Sequence, residues 1–126
     1  MSAAATPRVY RQSAVLSAGP CELVVIQYDG ARRFLRQAAV AMRASEIERA
    51  HLSLRRAETI IAHLDSVLDD DLGEIPERLH AIYGFCLRHL NAARIGQHAA
   101  NLDEVSELLG ELREAWAHLA AEGPPG

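Results

Sequence analysis

Glu48-Arg49-Ala50-His51 and Glu77-Arg78-Leu79-His80 carry the residue types and the spacing of metal ligands. In each, a carboxylate and an imidazole stand three positions apart, the Glu-x-x-His arrangement that di-metal carboxylate bundles repeat on two helices. Such a centre needs both pairs at one level and further glutamates from the other helices. Here the pairs fall near the starts of consecutive helices. Antiparallel packing then separates them by about 30 Å, at 1.5 Å of rise per residue. Glu48 and Glu77 also project away from the apolar stripes of their own helices, and the first and fourth helices offer no glutamate on their core faces. A carboxylate–histidine metal-binding bundle enzyme is therefore kept as an alternative reading only.

The other reactive side chains form no constellation. Cys21 and Cys86 are too few and too far apart for a disulfide framework or a zinc site. Cys86 falls on an apolar stripe, where a free cysteine acts as a small hydrophobe. Cys21 lies in a helix first turn, a position that can lower a thiol pKa, yet no histidine is near it in sequence to act as a base. His63, His89, His98 and His118 read as solvated or half-buried polar residues. Tyr28 and Asp29 are neighbours in a helix, so they point about 100° apart and do not face each other. The chain has no Gly-rich phosphate loop and no Gly-x-Ser-x-Gly. No active site, cofactor site or metal site is assigned.

The elements that would position these residues are helices. Of the 126 residues 49% are hydrophobic and only 5% aromatic, with long stretches of Ala, Leu, Glu and Arg. Residues 1–19 lack periodicity and read as an N-terminal tail, with Val9, Tyr10, Val15 and Leu16 as its apolar points. Gly19-Pro20 opens a first helix over about 20–44, because Pro is tolerated in a first turn. Ser45-Glu46-Ile47-Glu48 reads as a capping box for a second helix over 46–68. Asp69-Asp70-Asp71 and Gly73 break it, and a third helix follows over 74–95, ending before Gly96. Asn101 with Glu104 is a weaker capping pattern for a fourth helix, placed at 99–121. Residues 122–126, with Gly123-Pro124-Pro125-Gly126, read as a disordered C-terminal tail.

Alternating three- and four-residue spacing gives each helix an apolar face. The sets are Val24, Tyr28, Ala31, Leu35, Ala38 and Met42, then Ile47, Ala50, Leu54, Ala57, Ile61, Leu64 and Leu68. They continue as Ile75, Leu79, Ile82, Cys86, Leu90 and Ala93, then Leu102, Val105, Leu109, Leu112 and Trp116. Short links force the helices to fold back, which predicts one all-α domain, an antiparallel four-helix bundle over 20–121.

There is more apolar surface than such a bundle needs. Leu23, Ile26, Gly30 and Phe34 form a second stripe on the first helix and widen its apolar arc to about 200°, against a usual arc nearer 100°. Ile60 and Val67 add to the second helix, and Leu108, Ala115 and Leu119 to the fourth. Two readings of the surplus stand: cover for neighbouring helices and the tail, or a groove for a peptide. Gly30 in mid-helix costs about 1 kcal/mol against Ala, which suggests close approach of another backbone.

The net charge of -4 argues against a nucleic-acid partner, and the thirteen basic residues are all arginine. No apolar run approaches the roughly 20 residues of a membrane span, so no membrane insertion is expected. Met1 to Pro7 lacks the pattern of a signal peptide, and the expected location is cytoplasmic.

The run Val15-Leu16-Ser17-Ala18-Gly19-Pro20-Cys21-Glu22-Leu23-Val24, with Tyr28-Asp29-Gly30-Ala31 and Phe34-Leu35, resembles the flagellar secretion chaperones of the FliS type. Gly73-Glu74-Ile75, Leu102-Asp103-Glu104-Val105 and the stretch Leu108 to Trp116 continue the likeness, which covers roughly residues 9–120 in order. Gly19 departs from the family's usual Ser or Thr cap. The resemblance implies a bundle that holds the C-terminal segment of flagellin, prevents its premature polymerisation and assists delivery to the flagellar type III export apparatus. It also implies a contact with the export gate, and a short, movable N-terminal segment around Tyr10 that covers part of the groove until flagellin displaces it. A helical adaptor for another secreted protein is the third reading, and self-association is left open. The stripe geometry itself nominates Leu23, Ile26, Gly30, Phe34, Ile60 and Val67 as partner-binding residues, with Tyr10 and Leu16 on the tail.

Overall fold

A computed structural model describes residues 20–122 of the chain. Four helices follow in order: α1 (Pro20–Arg43), α2 (Ile47–Ser66), α3 (Glu74–Gly96) and α4 (Ala99–Glu122), with a single 3-10 turn at Asp70–Leu72 between α2 and α3. The expected all-α four-helix bundle is the fold. Tyr10, Leu16 and the other tail positions before Pro20, and Gly123 to Gly126, lie outside the described residues.

The side-chain pairs fix the directions. Asp29 meets Arg113 and Arg43 meets Asp103, so α1 and α4 run antiparallel. Glu58 meets Arg94 and Asp65 meets His80, so α2 and α3 do as well. Consecutive helices are neighbours, and α1 also lies against α4, which closes the ring. Small buried residues on α1, namely Ala31, Ala38, Ala39 and Ala41, let α2 and α4 approach it closely. The α3 helix stands farther from its neighbours, and larger side chains (Leu79, Tyr83, Leu90) fill that space.

The core follows the apolar stripes, with corrections at the ends. Ile47 and Ile75 are 53% and 56% exposed. Each sits in a helix first turn, where the Cα–Cβ bond tilts toward the N-terminus and carries the side chain past the core. On α3 Tyr83 is fully buried in place of the neighbouring Ile82, which is only half-buried. Leu112 is likewise half-buried on α4.

The expected caps are replaced by other devices. Ser45 does not cap α2. It adopts φ 60° and ends α1, with its N–H on Met42 and the Glu46 N–H on Ala41. That is the Schellman pattern, normally built on Gly. Glu46 then stands at the N-cap of α2 with no side-chain bond. At the far end of α3, Gly96 stays helical and Gln97 takes the left-handed position at φ 57°, while the His98 N–H reaches the Ala93 carbonyl. Asn101 lies within the first turn of α4 rather than at its cap. Asp69 caps the 3-10 turn by accepting from the Asp71 N–H, and Gly73, at φ 85°, carries the chain into α3.

Candidate functional site

The residues Tyr28-Asp29-Gly30-Ala31 occupy one turn of α1, and that turn reaches three other helices. Tyr28 is fully buried and its hydroxyl meets that of Tyr83 on α3 at 2.5 Å. Asp29 points toward α4 and accepts from Arg113 Nε at 2.9 Å and Nη2 at 3.4 Å. This bond and the field of Asp29 raise the Arg113 pKa further. Gly30 faces α2, and Ala31 completes the core. The adjacent side chains diverge as a 100° step requires, so the tyrosine and the aspartate are not an acid–base pair.

Two arginines fix α1 against α4 farther along. Arg32 Nε donates to the Ser106 carbonyl at 3.0 Å, and its guanidinium lies across the α4 backbone where Gly110 leaves room. A Cβ at Gly110 would come within 2.9 Å of Arg32 Cζ. Arg43 and Asp103 close the far end at 2.5 Å.

The α1–α2 seam has a different surface. Gly30 sits opposite Ile60, whose Cδ1 would lie 3.5 Å from a Cβ placed on the glycine. The neighbour that approaches Gly30 is thus a side chain and not a backbone. Phe34 lies half-buried next along the seam, with the Arg33 guanidinium 5.3 Å and the Arg56 guanidinium 5.8 Å from its ring centroid. The register that sets Gly30 against Ile60 and Phe34 beside Arg56 brings Leu23 level with Val67. Phe34, Ile60 and Val67 pack against the core with one side and leave part of their surface outside. Leu23 is half-buried and Ile26 is 60% exposed. Gly30, Phe34 and Ile60 thus meet at the α1–α2 seam, Leu23 and Ile26 continue the α1 stripe over about 16 Å at 1.5 Å per residue, and Val67 continues that of α2. Arg33 and Arg56 were not among the nominated residues. The signal for them was a basic residue beside the stripe on each helix, visible only once the register is known.

The metal-ligand patterns do not converge. Glu48 and Glu77 are both exposed, and their helices run antiparallel, with His51 near the α1–α2 connection and His80 near the 3-10 turn. His80 Nδ1 meets Asp65 and Nε2 meets Asp70, each at 2.5 Å. Opposite ring nitrogens leave these two carboxylates no shared point for a cation. Bonds to Asp70 first and Asp65 second hold the His80 pKa above its usual value. Among the described residues no group of three or more His, Cys, Asp or Glu side chains is placed to hold a metal ion.

The two thiols are buried. Desolvation, with a smaller push from Glu22, raises the Cys21 pKa, so the helix-terminus effect expected there does not prevail. Burial drives Cys86 up to about 11. Among the described residues no helix is long and apolar enough to cross a membrane.

Comparison with known proteins finds related sequences over most of the chain. Residues 2–123 match the protein family described as flagellar protein FliS. The flagellar secretion chaperone FliS of Bacillus subtilis (strain 168) is 33% identical over 107 residues, covering 85% of this chain and 80% of the relative. That of Salmonella typhimurium is 32% identical over 111 residues, covering 86% and 82%. The flagellar secretion chaperone FliSB of Pseudomonas aeruginosa is 30% identical over 106 residues, covering 83% and 84%.

Proposed function

The chain belongs to the flagellar protein FliS family, and from that premise we propose that it is a non-enzymatic export chaperone for flagellin. It acts in the cytoplasm, holds the C-terminal segment of flagellin, keeps that segment from polymerising and brings it to the type III export apparatus. The observation that carries the reading is the apolar seam of α1 and α2, where Ile26 stands 60% exposed beside the partly covered Leu23, Phe34, Ile60 and Val67.

An amphipathic segment lays its apolar positions into such a seam as helical turns, at i, i+3, i+4 and i+7. The seam spans the length of about three turns. A client that is disordered when free loses entropy on docking, so the contact must be broad, and the stripe extends well beyond what the core consumes. The tight α1–α2 and α1–α4 packing supports a rigid platform that does not reorganise on binding. The tail around Tyr10 and Leu16 is the movable cover of this seam in the same reading.

Calorimetric titration with a peptide of about the last 50 residues of flagellin tests it, because burial of apolar surface gives a negative heat-capacity change. Saturable binding near one to one with that sign is expected. Absence of binding to the peptide and to full-length flagellin would leave the bundle without this client.

A further inference from the structure

At the Phe34 end of the seam, Arg33 from α1 and Arg56 from α2 both bring their guanidinium groups to one aromatic ring, at 5.3 and 5.8 Å. Both arginines are exposed. Among the described residues neither has a carboxylate within ion-pair distance, and the acidic groups nearest them in sequence are engaged elsewhere. Asp29 is held by Arg113 of α4, Glu58 by Arg94 of α3, and Glu46 pairs with Arg49. The seam is thus apolar along its length and basic at one end, on a chain whose net charge is -4.

We infer that this pair selects the client: the docking segment is an amphipathic helix that brings an acidic side chain to Phe34, where it pairs with Arg33 and Arg56 while its apolar positions lie along Ile26, Gly30 and Ile60. The inference rests on the reading of the seam as the client site and adds a charge and a polarity to it. The acidic residue belongs at the end of the segment nearest the α1–α2 connection. Two like charges above one ring repel each other, and an arriving carboxylate relieves that repulsion as well as pairing with each guanidinium. The chain's own N-terminal stretch cannot supply this group, since residues 1–19 contain no Asp or Glu and do contain Arg8 and Arg11.

The test uses the full chain and the C-terminal flagellin peptide of about 50 residues, titrated at low and at moderate salt. The R33Q/R56Q variant removes both charges and keeps a polar side chain at exposed positions, and unchanged helicity and thermal midpoint verify its fold. It is expected to bind about tenfold more weakly than the parent at low salt, with a flatter salt dependence. Peptides in which single Asp or Glu residues become Asn or Gln supply the second arm. One of them should show the same loss with the parent chain and no additional loss with R33Q/R56Q. If the parent binds the peptide and R33Q/R56Q binds it within twofold with the same salt slope, the inference is overturned and the client reading stands. If the parent binds neither peptide nor full-length flagellin, both fall together.

Discussion

Tyr28 of α1 and Tyr83 of α3 meet hydroxyl to hydroxyl at 2.5 Å across the diagonal of the bundle, each fully buried. Diagonal helices in a four-helix ring seldom touch through their backbones, so this contact fixes the height of α3 relative to α1. Removing one oxygen leaves the other buried with one partner fewer. Tyr83→Phe and Tyr28→Phe are each expected to lower stability by about 1 kcal/mol in urea unfolding. The double variant should lose clearly less than the two single losses added, since the groups are in direct contact.

The Gly30 position separates stability from binding. A methyl group there meets Ile60 Cδ1 at 3.5 Å, an ordinary van der Waals distance. Gly30→Ala should therefore stabilise the free protein by about 0.5–1 kcal/mol through helix propensity alone. It also raises the floor of the seam between Ile26 and Phe34, so flagellin binding should weaken while the thermal midpoint rises. Parallel melting and titration of this one variant distinguish a glycine kept for a partner from one kept for the fold.

His80 makes stability depend on pH in a stated direction. Its folded pKa lies above the usual value because Asp70 and Asp65 accept from its two ring nitrogens. The contribution is fully present below the unfolded-state pKa near 6.5 and is lost as pH rises through the higher folded value. Unfolding midpoints taken across that interval should fall more for the parent than for His80→Gln. The effect is small, because the ring is 38% exposed and solvent screens the pairs.

Both thiols should resist modification in the native state. Cys86 is fully buried with its pKa pushed to about 11, and Cys21 is buried with its pKa raised. A thiol reagent at pH 8 is expected to label neither on the timescale of a free cysteine and to label both once urea unfolds the chain.

Much of the bundle was legible because a stripe of alternating three and four residues has one physical outcome, burial against similar stripes. Val24 through Met42 and Ala50 through Leu68 are buried as their spacing predicts. The misses have local causes. Periodicity carries no information about where a stripe runs past the end of its neighbours, which exposes Ile47 and Ile75. It favours Ile82 over Tyr83 because it ranks residues by hydrophobicity, whereas the wide gap at α3 calls for a long side chain whose hydroxyl has a partner. Ser45 fits a capping box in the sequence, yet the tight α1–α2 turn needed a residue in the left-handed region, and Ser45 took that place.

The seam was legible in part for the same reason. Its apolar members declare themselves by excess over what one core face requires. Its electrostatics do not, since whether Arg33 and Arg56 are free depends on Asp29 being held by Arg113, 84 positions away, and Glu58 by Arg94. Such pairings are set by the register of packed helices and not by any local pattern.

The most direct measurement of the central claim is flagellin binding by a chain in which Ile26 and Phe34 are replaced by serine, with Ile26→Ser alone as the companion variant. Ile26 is largely exposed, so its replacement should leave the fold intact, as helicity and the melting curve will show. The account predicts at least tenfold weaker binding of the C-terminal flagellin peptide by the double variant and a smaller, clear loss for Ile26→Ser. Unchanged affinity in a folded double variant would contradict the placement of the client along the α1–α2 seam.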